Sequence, residues 1–396
     1  MTGKIEAQIA RQIKNCKKLL DEETRDKKEG KYALQIIDEL AQWEDSVEGI
    51  SIEYIEPFFS TLSIGYHYSG KNDKAISIIN RGIDQLGRRF RDYRGKRQYF
   101  PNMGELYYKL GLYCAVKTAS NRKMMGDAFR YHVYYELLAK AQSSHNFEFY
   151  SFYSPTDYHI DDLSHYQMAL SNPSTFNDPV DCPIFEWIEK LEGKMVEQWD
   201  PEVFSIIAEQ RKKAYSAIRI RCFVRNKPLP SPMALFPRPS TPIPEYSNTL
   251  MWAHYASKHQ GYCVKYVFPE SFFNTIDEDR PVLFLAPVEY VSDMDVLRDI
   301  TIQDAFFTKH ESWSYEHEMR LIYFDKDETS DSYHKVPMLD GMITDVYFGV
   351  RCEDSDKRRI IEALKGRTVK YHQMEVDPEH LYRLEEMPID PSMYEI

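Results

Sequence analysis

The sequence predicts an α+β protein, in which an all-helical N-terminal region precedes a mixed, mostly antiparallel β-sheet domain with helices. Residues 33–44 space their apolar side chains three and four apart, which is the period of an amphipathic helix. From Phe147 on, proline, β-branched and aromatic residues become more frequent, and residues 217–226 alternate as a strand does. We therefore expect two domains, residues 1–144 and residues 145–396.

Composition excludes several classes of protein. The 396 residues are 43% hydrophobic and 28% charged, and they contain no apolar run of about 18 residues that could span a membrane. The N-terminus is charged and lacks the apolar core of a signal peptide. The six cysteines are scattered singly without a C-x-x-C pair, which argues against a zinc site or a disulfide framework. These features predict a cytoplasmic protein with reduced thiols, no metal and no membrane contact.

The net charge of −12 is unevenly distributed. Residues 1–140 carry 24 Lys and Arg against 19 Asp and Glu, so the first third is mildly basic although the whole chain is acidic. Six of the basic residues lie in residues 88–97, together with two aromatic residues. This patch is either a solvated helix end, a docking surface for the acidic domain, or a contact for phosphate or nucleic acid.

Two stretches of the first third have the pattern of helical hairpins. In residues 58–87, Gly70 makes the turn, and the small residues Ser63 and Gly82 stand where the two helices cross closely. Residues 107–141 repeat the pattern more weakly. The pattern resembles tetratricopeptide repeats, which implies a concave surface for a protein partner. A helical domain without a binding role is the alternative.

Three stretches of the β-rich region allow more than one interpretation. Residues 170–181 are rich in the Asn, Asp, Pro, Ser and Thr residues that form turns, so Asn177 either shapes the loop or contacts a ligand. A strand over residues 217–226 places Arg219 and Arg221 on one face, where they could hold a diphosphate or pair with acidic residues. The insert at residues 226–248 has seven prolines and is an extended loop, either a lid or a passive excursion.

Residues 251–268 read as a short helix, a stop at Gly261 and a strand. The helix carries His254 and Tyr255. A single histidine on such a helix is either catalytic or a hydrogen-bonded structural residue.

The stretch HESWSYEHEMRLIYF, residues 310–324, places charges in a segment that otherwise reads as a buried strand. If the strand runs from residue 314 to 324, Glu316, Glu318 and Arg320 share one face. Carboxylates two residues apart on a strand lie roughly 7 Å apart, and burying them without compensation is costly. They therefore either face water as a salt-bridge ladder or line a polar pocket.

Several motifs occur together over about residues 145–390, among them SNPSTFNDP, MWAHYA and W-S-Y-E-H-E-M-R. In this order they are similar to the domain-of-unknown-function family 2971. The arrangement also looks like the ADP-ribosyltransferase superfamily, in which a late strand or its leading turn carries a decisive glutamate, often as Glu-x-Glu. That resemblance implies cleavage of the nicotinamide–ribose bond of NAD, through a cation-like sugar.

The resemblance also implies roles for individual residues. Glu318 would hold the ribose 2′-hydroxyl and stabilise the developing positive charge, and Glu316 would orient or deprotonate the acceptor. His254 joins them as a catalytic candidate. The residues assigned to NAD binding are Tyr150, Tyr153, Asn177, Arg219, Arg221, Tyr255 and Arg320.

We thus expect an NAD-using ADP-ribosyltransferase or NAD glycohydrolase, joined to a helical domain that senses or recruits a protein partner, as an effector in anti-phage defence would be. One alternative is a non-catalytic scaffold that binds a nucleotide or a peptide. A second is a hydrolase or nuclease that uses His254 with Glu316 or Asp178. No P-loop or dinucleotide-binding glycine motif is present.

Overall fold

The computed structural model divides the chain into two compact units. It describes residues 2–26, 28–90, 97–115, 122–140, 148–176, 178, 181–182, 201–225, 244–274, 283–292, 306–325, 332–380 and 383–394. The first unit comprises Met1–Lys140 and Ile184–Ala217, and the second comprises Ala141–Pro183 and Ile218–Ile396. Residues 184–217, which the sequence analysis assigned to the second region, are thus grouped with the first.

Helices make up most of the first unit. In chain order the helices are α1 (Thr2–Asp26), α2 (Ala33–Leu40), α3 (Ile55–Tyr68), α4 (Asn72–Arg89), α5 (Phe100–Ala115), α6 (Arg122–Lys140), α7 (Asp157–Ser164), α8 (Pro201–Ser216), α9 (Thr249–Tyr255), α10 (Glu270–Asn274) and α11 (Asp354–Ala363). The first unit contains α1 to α6 and α8. The helix predicted over residues 33–44 ends at Leu40 and continues as a 3-10 turn, Ala41–Trp43. None of the described helices is long and apolar enough to cross a membrane.

Consecutive helices of the first unit pack as hairpins, α3 with α4 and α5 with α6. The close crossing predicted at Gly82 is confirmed, because a Cβ atom at that position would lie 2.8 Å from the Cβ of Phe59. In the second hairpin a Cβ at Gly111 would lie 2.7 Å from Phe129. In both hairpins a glycine on one helix therefore makes room for a phenylalanine side chain of the other helix.

Helix α8 belongs to the first unit because its side chains pack on α5 and α6. Gly126 of α6 leaves room for the side chain of Gln210. The guanidinium of Arg211 lies 5.7 Å from the ring centre of Tyr108 on α5, and it donates a hydrogen bond to the hydroxyl of Tyr215 at 3.2 Å. These contacts cannot be read from the position of α8 in the chain.

The second unit is built on a β-sheet. Its strands are β1 (Glu148–Tyr153), β2 (Gln167–Ser171), β3 (Ile218–Arg225), β4 (Tyr262–Val267), β5 (Leu283–Pro287), β6 (Glu289–Val291), β7 (Thr308–His310), β8 (Glu318–Phe324), β9 (Tyr333–Pro337), β10 (Ile343–Phe348), β11 (Lys370–Val376) and β12 (Leu384–Ile389). The main sheet runs β12-β11-β10-β4-β1-β3-β2-β9, while β8 pairs with β3 and β5. Among the described strands of this sheet only β10 and β11 are parallel, and β6 and β7 form a separate parallel pair. The predicted α+β class with a mixed sheet is confirmed.

Both faces of the sheet are covered, and β1 contributes to each. Phe149 and Tyr153 belong to a core with Phe223 on one face. Tyr150 and Phe152 belong to a second core on the other face. Burial on both faces explains why the strand is almost continuously apolar rather than alternating.

The basic patch and the proline-rich insert predicted from the sequence fall partly outside the described residues. Residues 91–96 of the basic patch are among those not described, and so are residues 226–243 of the proline-rich insert. The turn chemistry predicted near residue 172 is confirmed, since the side chain of Asn172 accepts a hydrogen bond from the backbone N–H of Ser174 at 3.0 Å.

We expect Gly82→Ala to lower the free energy of unfolding by about 1–3 kcal/mol, because the new methyl group forces α3 and α4 apart. Gly87→Ala in the same helix is the matched control, since its Cβ would meet only a methionine methyl group at 3.9 Å. That substitution should stabilise the protein by up to about 1 kcal/mol through helix propensity. Denaturant unfolding of both variants measures the difference, and equal stabilities would contradict a close crossing at Gly82.

Candidate functional site

The acidic segment begins with a turn rather than with the predicted strand. Residues 311–316 form a 3-10 helix, Glu311–Glu316, and β8 starts only at Glu318. His317 between them has a left-handed conformation with φ of 43°, and its N–H donates to the carbonyl of Ser314. The prediction of a strand from residue 314 is therefore wrong for its first four residues. Glu316 approaches the site from the turn, and Glu318 approaches it from the strand.

Arg320 holds Glu318 in place. The guanidinium is 0% exposed, and its Nε donates to Oε1 of Glu318 at 2.6 Å, which confirms that the two side chains share a face. Its Nη2 donates to both carboxylate oxygens of Asp181, at 2.7 and 2.9 Å. Its Nη1 donates to the carbonyl of Phe306 at 2.7 Å. A buried cation with this set of partners fixes the carboxylate of Glu318 in one orientation.

Lys309 joins the two glutamates and was missed by the sequence analysis. Its Nζ lies 2.7 Å from Oε2 of Glu316, 3.3 Å from Oε2 of Glu318 and 3.4 Å from Oδ2 of Asp181. The side chain is 8% exposed and also lies 4.8 Å from the ring centre of Trp313. Two buried carboxylates need a nearby cation, so the sequence could have predicted that a basic residue lies beside them. It does not show which lysine that is.

These charges line a cavity of about 130 Å³ in the second unit. Its charged lining residues are Asp181, Lys309, Glu316 and Glu318, and its aromatic lining residues are Tyr150, Phe152, Phe176, Phe223 and Tyr255. The hydroxyl of Tyr255 donates to Oε1 of Glu316 at 2.5 Å. The arrangement can therefore hold a ring against aromatic faces and present two carboxylates to it.

The two glutamates differ in acidity. Burial acts to raise the pKa of Glu318, but the charges of Arg320 and Lys309 outweigh it and lower that pKa to about 2. Burial raises the pKa of Glu316, and the nearby Glu318 adds to this effect, although Lys309 opposes it. Two carboxyl groups whose pKa values move apart can take different roles in proton transfer.

The ionisable side chains of the site carry more negative than positive charge. Asp181, Glu316 and Glu318 supply three carboxylates, whereas Lys309 and Arg320 supply two cations. Burial acts to lower the pKa of Lys309, but the three carboxylates raise it, so the amine stays charged. With all groups ionised, the site favours a cation or a transition state that develops positive charge.

The other predicted site residues are divided between the faces of the sheet. Tyr150 pairs with Val224, and Val224 pairs with Glu318, so Tyr150 lies on the face of the acids. Tyr153 lies on the opposite face, where the guanidinium of Arg221 is 4.7 Å from its ring centre.

Both predicted phosphate contacts also lie away from the cavity. Arg221 pairs with Leu321 of β8 on the opposite face, and it donates to the hydroxyl of Ser151 at 3.1 Å. Arg219 is 2% exposed and lies 3.9 Å from a carboxylate oxygen of Asp325.

Two predicted residues remain, and of these only His254 is among the described residues. His254 is exposed, with its ring 6.3 Å from those of Tyr255 and Tyr315. Asn177 lies outside the described residues. Of the predicted residues, the structure brings together Tyr150, Tyr255, Glu316, Glu318 and Arg320.

A family model described as "Protein of unknown function (DUF2971)" matches residues 251–321. The match includes α9 from Met251 on, Lys309 and the segment from Glu316 to Arg320, and it supports the resemblance predicted from the MWAHYA and W-S-Y-E-H-E-M-R motifs. No curated protein and no solved structure was found to match the chain.

We expect Arg320→Met to lower the free energy of unfolding by about 3–5 kcal/mol, because it leaves two buried carboxylates without their shared cation. Arg359→Met is the control, since Arg359 is 43% exposed and its ion pairs lie at the surface. It should cost less than about 1 kcal/mol. Denaturant unfolding measures both, and a small loss for Arg320→Met would contradict the central role of its guanidinium.

The low pKa of Glu318 predicts a pH-dependent stability. Because the folded pKa of about 2 lies below the usual unfolded value of about 4.3, ionised Glu318 favours the folded state above pH 4.3. This contribution, about 3 kcal/mol, is lost as the pH falls towards 2.

The stability difference between the wild type and Glu318→Gln should therefore shrink as the pH falls from 5 to 3, as measured by denaturant unfolding. Glu311→Gln, an exposed glutamate of the preceding turn, should follow the wild type over this range. A stability difference that stays constant with pH would show that Glu318 has no unusual acidity.

Proposed function

We propose that the second unit cleaves the nicotinamide–ribose bond of NAD, either as an ADP-ribosyltransferase or as an NAD glycohydrolase. The observation that carries the proposal is the pair of glutamates with opposite pKa shifts in one cavity with excess negative charge. Bond cleavage creates a cation-like sugar, and a fixed carboxylate stabilises such a cation.

Glu318 is proposed to stand beneath the ribose. Its ionised carboxylate is held by Arg320, so it need not reorganise when positive charge develops at C1′. As the C1′–N bond breaks, the bonding electrons leave with nicotinamide, which departs as a neutral molecule. Arg320 acts as a positioning residue because its guanidinium is fully buried.

Glu316 is proposed to act on the acceptor. A hydroxyl group or water attacks C1′ and forms the new C–O bond, and its proton passes to the carboxylate of Glu316. A carboxylate with a raised pKa accepts that proton more readily than an ordinary carboxylate does. Lys309 and Tyr255 bind the two oxygens of Glu316 and would direct it towards the acceptor.

Fewer residues are proposed to contact NAD than the sequence predicts. Tyr150 and Tyr255 remain as candidates for contact with the nicotinamide or the ribose, since both line the cavity. Arg219, Arg221 and Tyr153 are left out because they lie on the opposite face of the sheet. His254 is left out because it is exposed.

The helical unit is proposed, from its resemblance to tetratricopeptide hairpins, to recruit or sense a protein partner. Joined to an NAD-consuming domain, it would suit an effector of anti-phage defence. This part of the proposal rests on architecture and analogy.

A non-catalytic binding protein is the second candidate, and one observation favours it. The cavity of about 130 Å³ is smaller than the usual 300–1,000 Å³ of ligand sites, and Lys309, the only cation among its described lining residues, is already bound by carboxylates. A small ligand held without turnover would suit such a site.

Nicotinamide release from NAD tests the first candidate against the second. We expect Glu318→Gln to reduce turnover by a factor of about 100 or more, since it removes the charge that stabilises the cation. Glu316→Gln should reduce it by a factor of about 100, as expected for loss of a general base. Glu311→Gln is the matched control and should leave turnover unchanged, because this glutamate is exposed and does not line the cavity.

Each outcome separates the candidates. Turnover that both cavity variants reduce supports the transferase or glycohydrolase. Binding of NAD without nicotinamide release, seen as a higher melting temperature, supports the binding protein. Equal turnover in the Glu318→Gln, Glu316→Gln and Glu311→Gln variants would contradict the proposed roles of Glu316 and Glu318.

A further inference from the structure

The helical unit has a cavity of its own, of about 410 Å³, between α1, α3 and α5. Its volume lies within the range of ligand-binding sites. It is lined on one side by His67, Tyr68 and Tyr113, and its acidic lining residues are Glu23 and Glu29. The proposed NAD chemistry makes no use of these residues.

The aromatic wall of this cavity is ordered by hydrogen bonds and stacking. Tyr113 is 4% exposed, and its hydroxyl lies 3.0 Å from Oγ of Ser63. The ring of His67 stacks on that of Tyr113 with centroids 4.8 Å apart. Nδ1 of His67 lies 2.7 Å from the amide oxygen of Asn72, which can only accept. Burial lowers the pKa of His67, so the ring is neutral near pH 7 and adds no positive charge.

Hydrogen bonds hold the carboxylate of Glu23 at a fixed position. Glu23 is 3% exposed, and its oxygens accept hydrogen bonds from the backbone N–H groups of Gly30, at 3.2 Å, and Tyr32, at 2.5 Å. Burial and the nearby carboxylate of Glu29, which hydrogen-bonds the phenol, raise the pKa of Tyr68 to about 12. The carboxylate of Glu29 therefore lies near the phenol of Tyr68.

A glycine keeps the loop against this wall. Gly30 has a φ of 77°, and a Cβ atom there would lie 3.0 Å from the Cβ of Tyr68. The loop can approach Tyr68 this closely only because the residue lacks a side chain.

Charge in the cavity is negative on balance. Lys109 is its one cation among the described lining residues, and its Nζ lies 2.8 Å from Oε1 of Glu105. That ion pair compensates the charge of Lys109, so no cation among the described lining residues neutralises Glu23 and Glu29. The surrounding residues 1–140 are basic on balance, so the negative charge is particular to the cavity.

We propose that this cavity binds an arginine side chain of a partner protein. A planar guanidinium can lie against tyrosine and histidine rings while it donates hydrogen bonds to carboxylates, and a lysine ammonium lacks that planar fork. Stacked helical hairpins present surfaces of the kind that protein partners occupy. The proposal is independent of the NAD chemistry of the second unit.

Titration of the full-length protein with N-acetyl-argininamide, followed by ligand-observed NMR, tests the proposal. We expect binding that is at least tenfold tighter than that of N-acetyl-citrullinamide, which has the same shape without the charge. Glu29→Gln should weaken binding of the arginine probe about tenfold. Glu48→Gln, an exposed glutamate of the same unit outside the cavity, is the matched control and should not change it.

Tyr68→Leu provides a second variant in which the carboxylates are kept and the aromatic face is lost. It should weaken binding about fivefold, the factor expected for a cation–π contact of this kind. Melting curves show whether each variant is folded. Equal affinity for the arginine and citrulline probes, or an unchanged affinity in both cavity variants, would overturn the proposal. Tighter binding of N-acetyl-lysinamide would overturn the choice of a guanidinium.

Discussion

The guanidinium of Arg320 is removed from water, and the arrangement of the acid site depends on how its charge is balanced. A buried cation is tolerated only if it is paired and its N–H groups are bonded. Glu318 on the same strand and Asp181 on a distant loop supply the two carboxylates. The loop and the strand are therefore held together by one side chain, and the acid that faces the cavity owes its orientation to it.

Lys309 links the position of Glu316 to that of Glu318. It touches Glu316 and Glu318 from β7, so the turn and the strand converge on one ammonium group. Because three carboxylates surround two cations, one proton or one positively charged ligand would complete the balance. The opposite pKa shifts of Glu316 and Glu318 follow from this unequal sharing, since Glu318 has both cations and Glu316 has one.

The parts of this fold that the sequence predicts are those with a local period. The alternation in residues 217–226 corresponds to β3, and the spacing of Glu318 and Arg320 places both on one strand face because each reflects a two-residue repeat. The turn at His317 was not predicted, since a left-handed histidine has no periodic signal. Lys309 was missed because its role depends on the pairing of β6 and β7, which is tertiary information.

The face on which Tyr153 lies was equally hidden. A strand covered on both sides shows no alternation of apolar and polar residues, so the sequence does not reveal which tyrosine meets which core. The sequence left two interpretations of Arg219 and Arg221 open, a diphosphate contact and an ion pair, and Arg219 lies 3.9 Å from a carboxylate oxygen of Asp325. Here Arg221 lies against an aromatic ring and a serine hydroxyl.

Strand β1 has a consequence for how this domain tolerates changes in length. Successive side chains of the strand project to opposite faces of the sheet. Tyr150 therefore lines the cavity, whereas the hydroxyl of Ser151 accepts a hydrogen bond from Arg221. Inserting or deleting one residue within the six residues of β1 would move each following side chain to the opposite face of the sheet. The side chains that line the cavity and those that support it from the other face would then change places together.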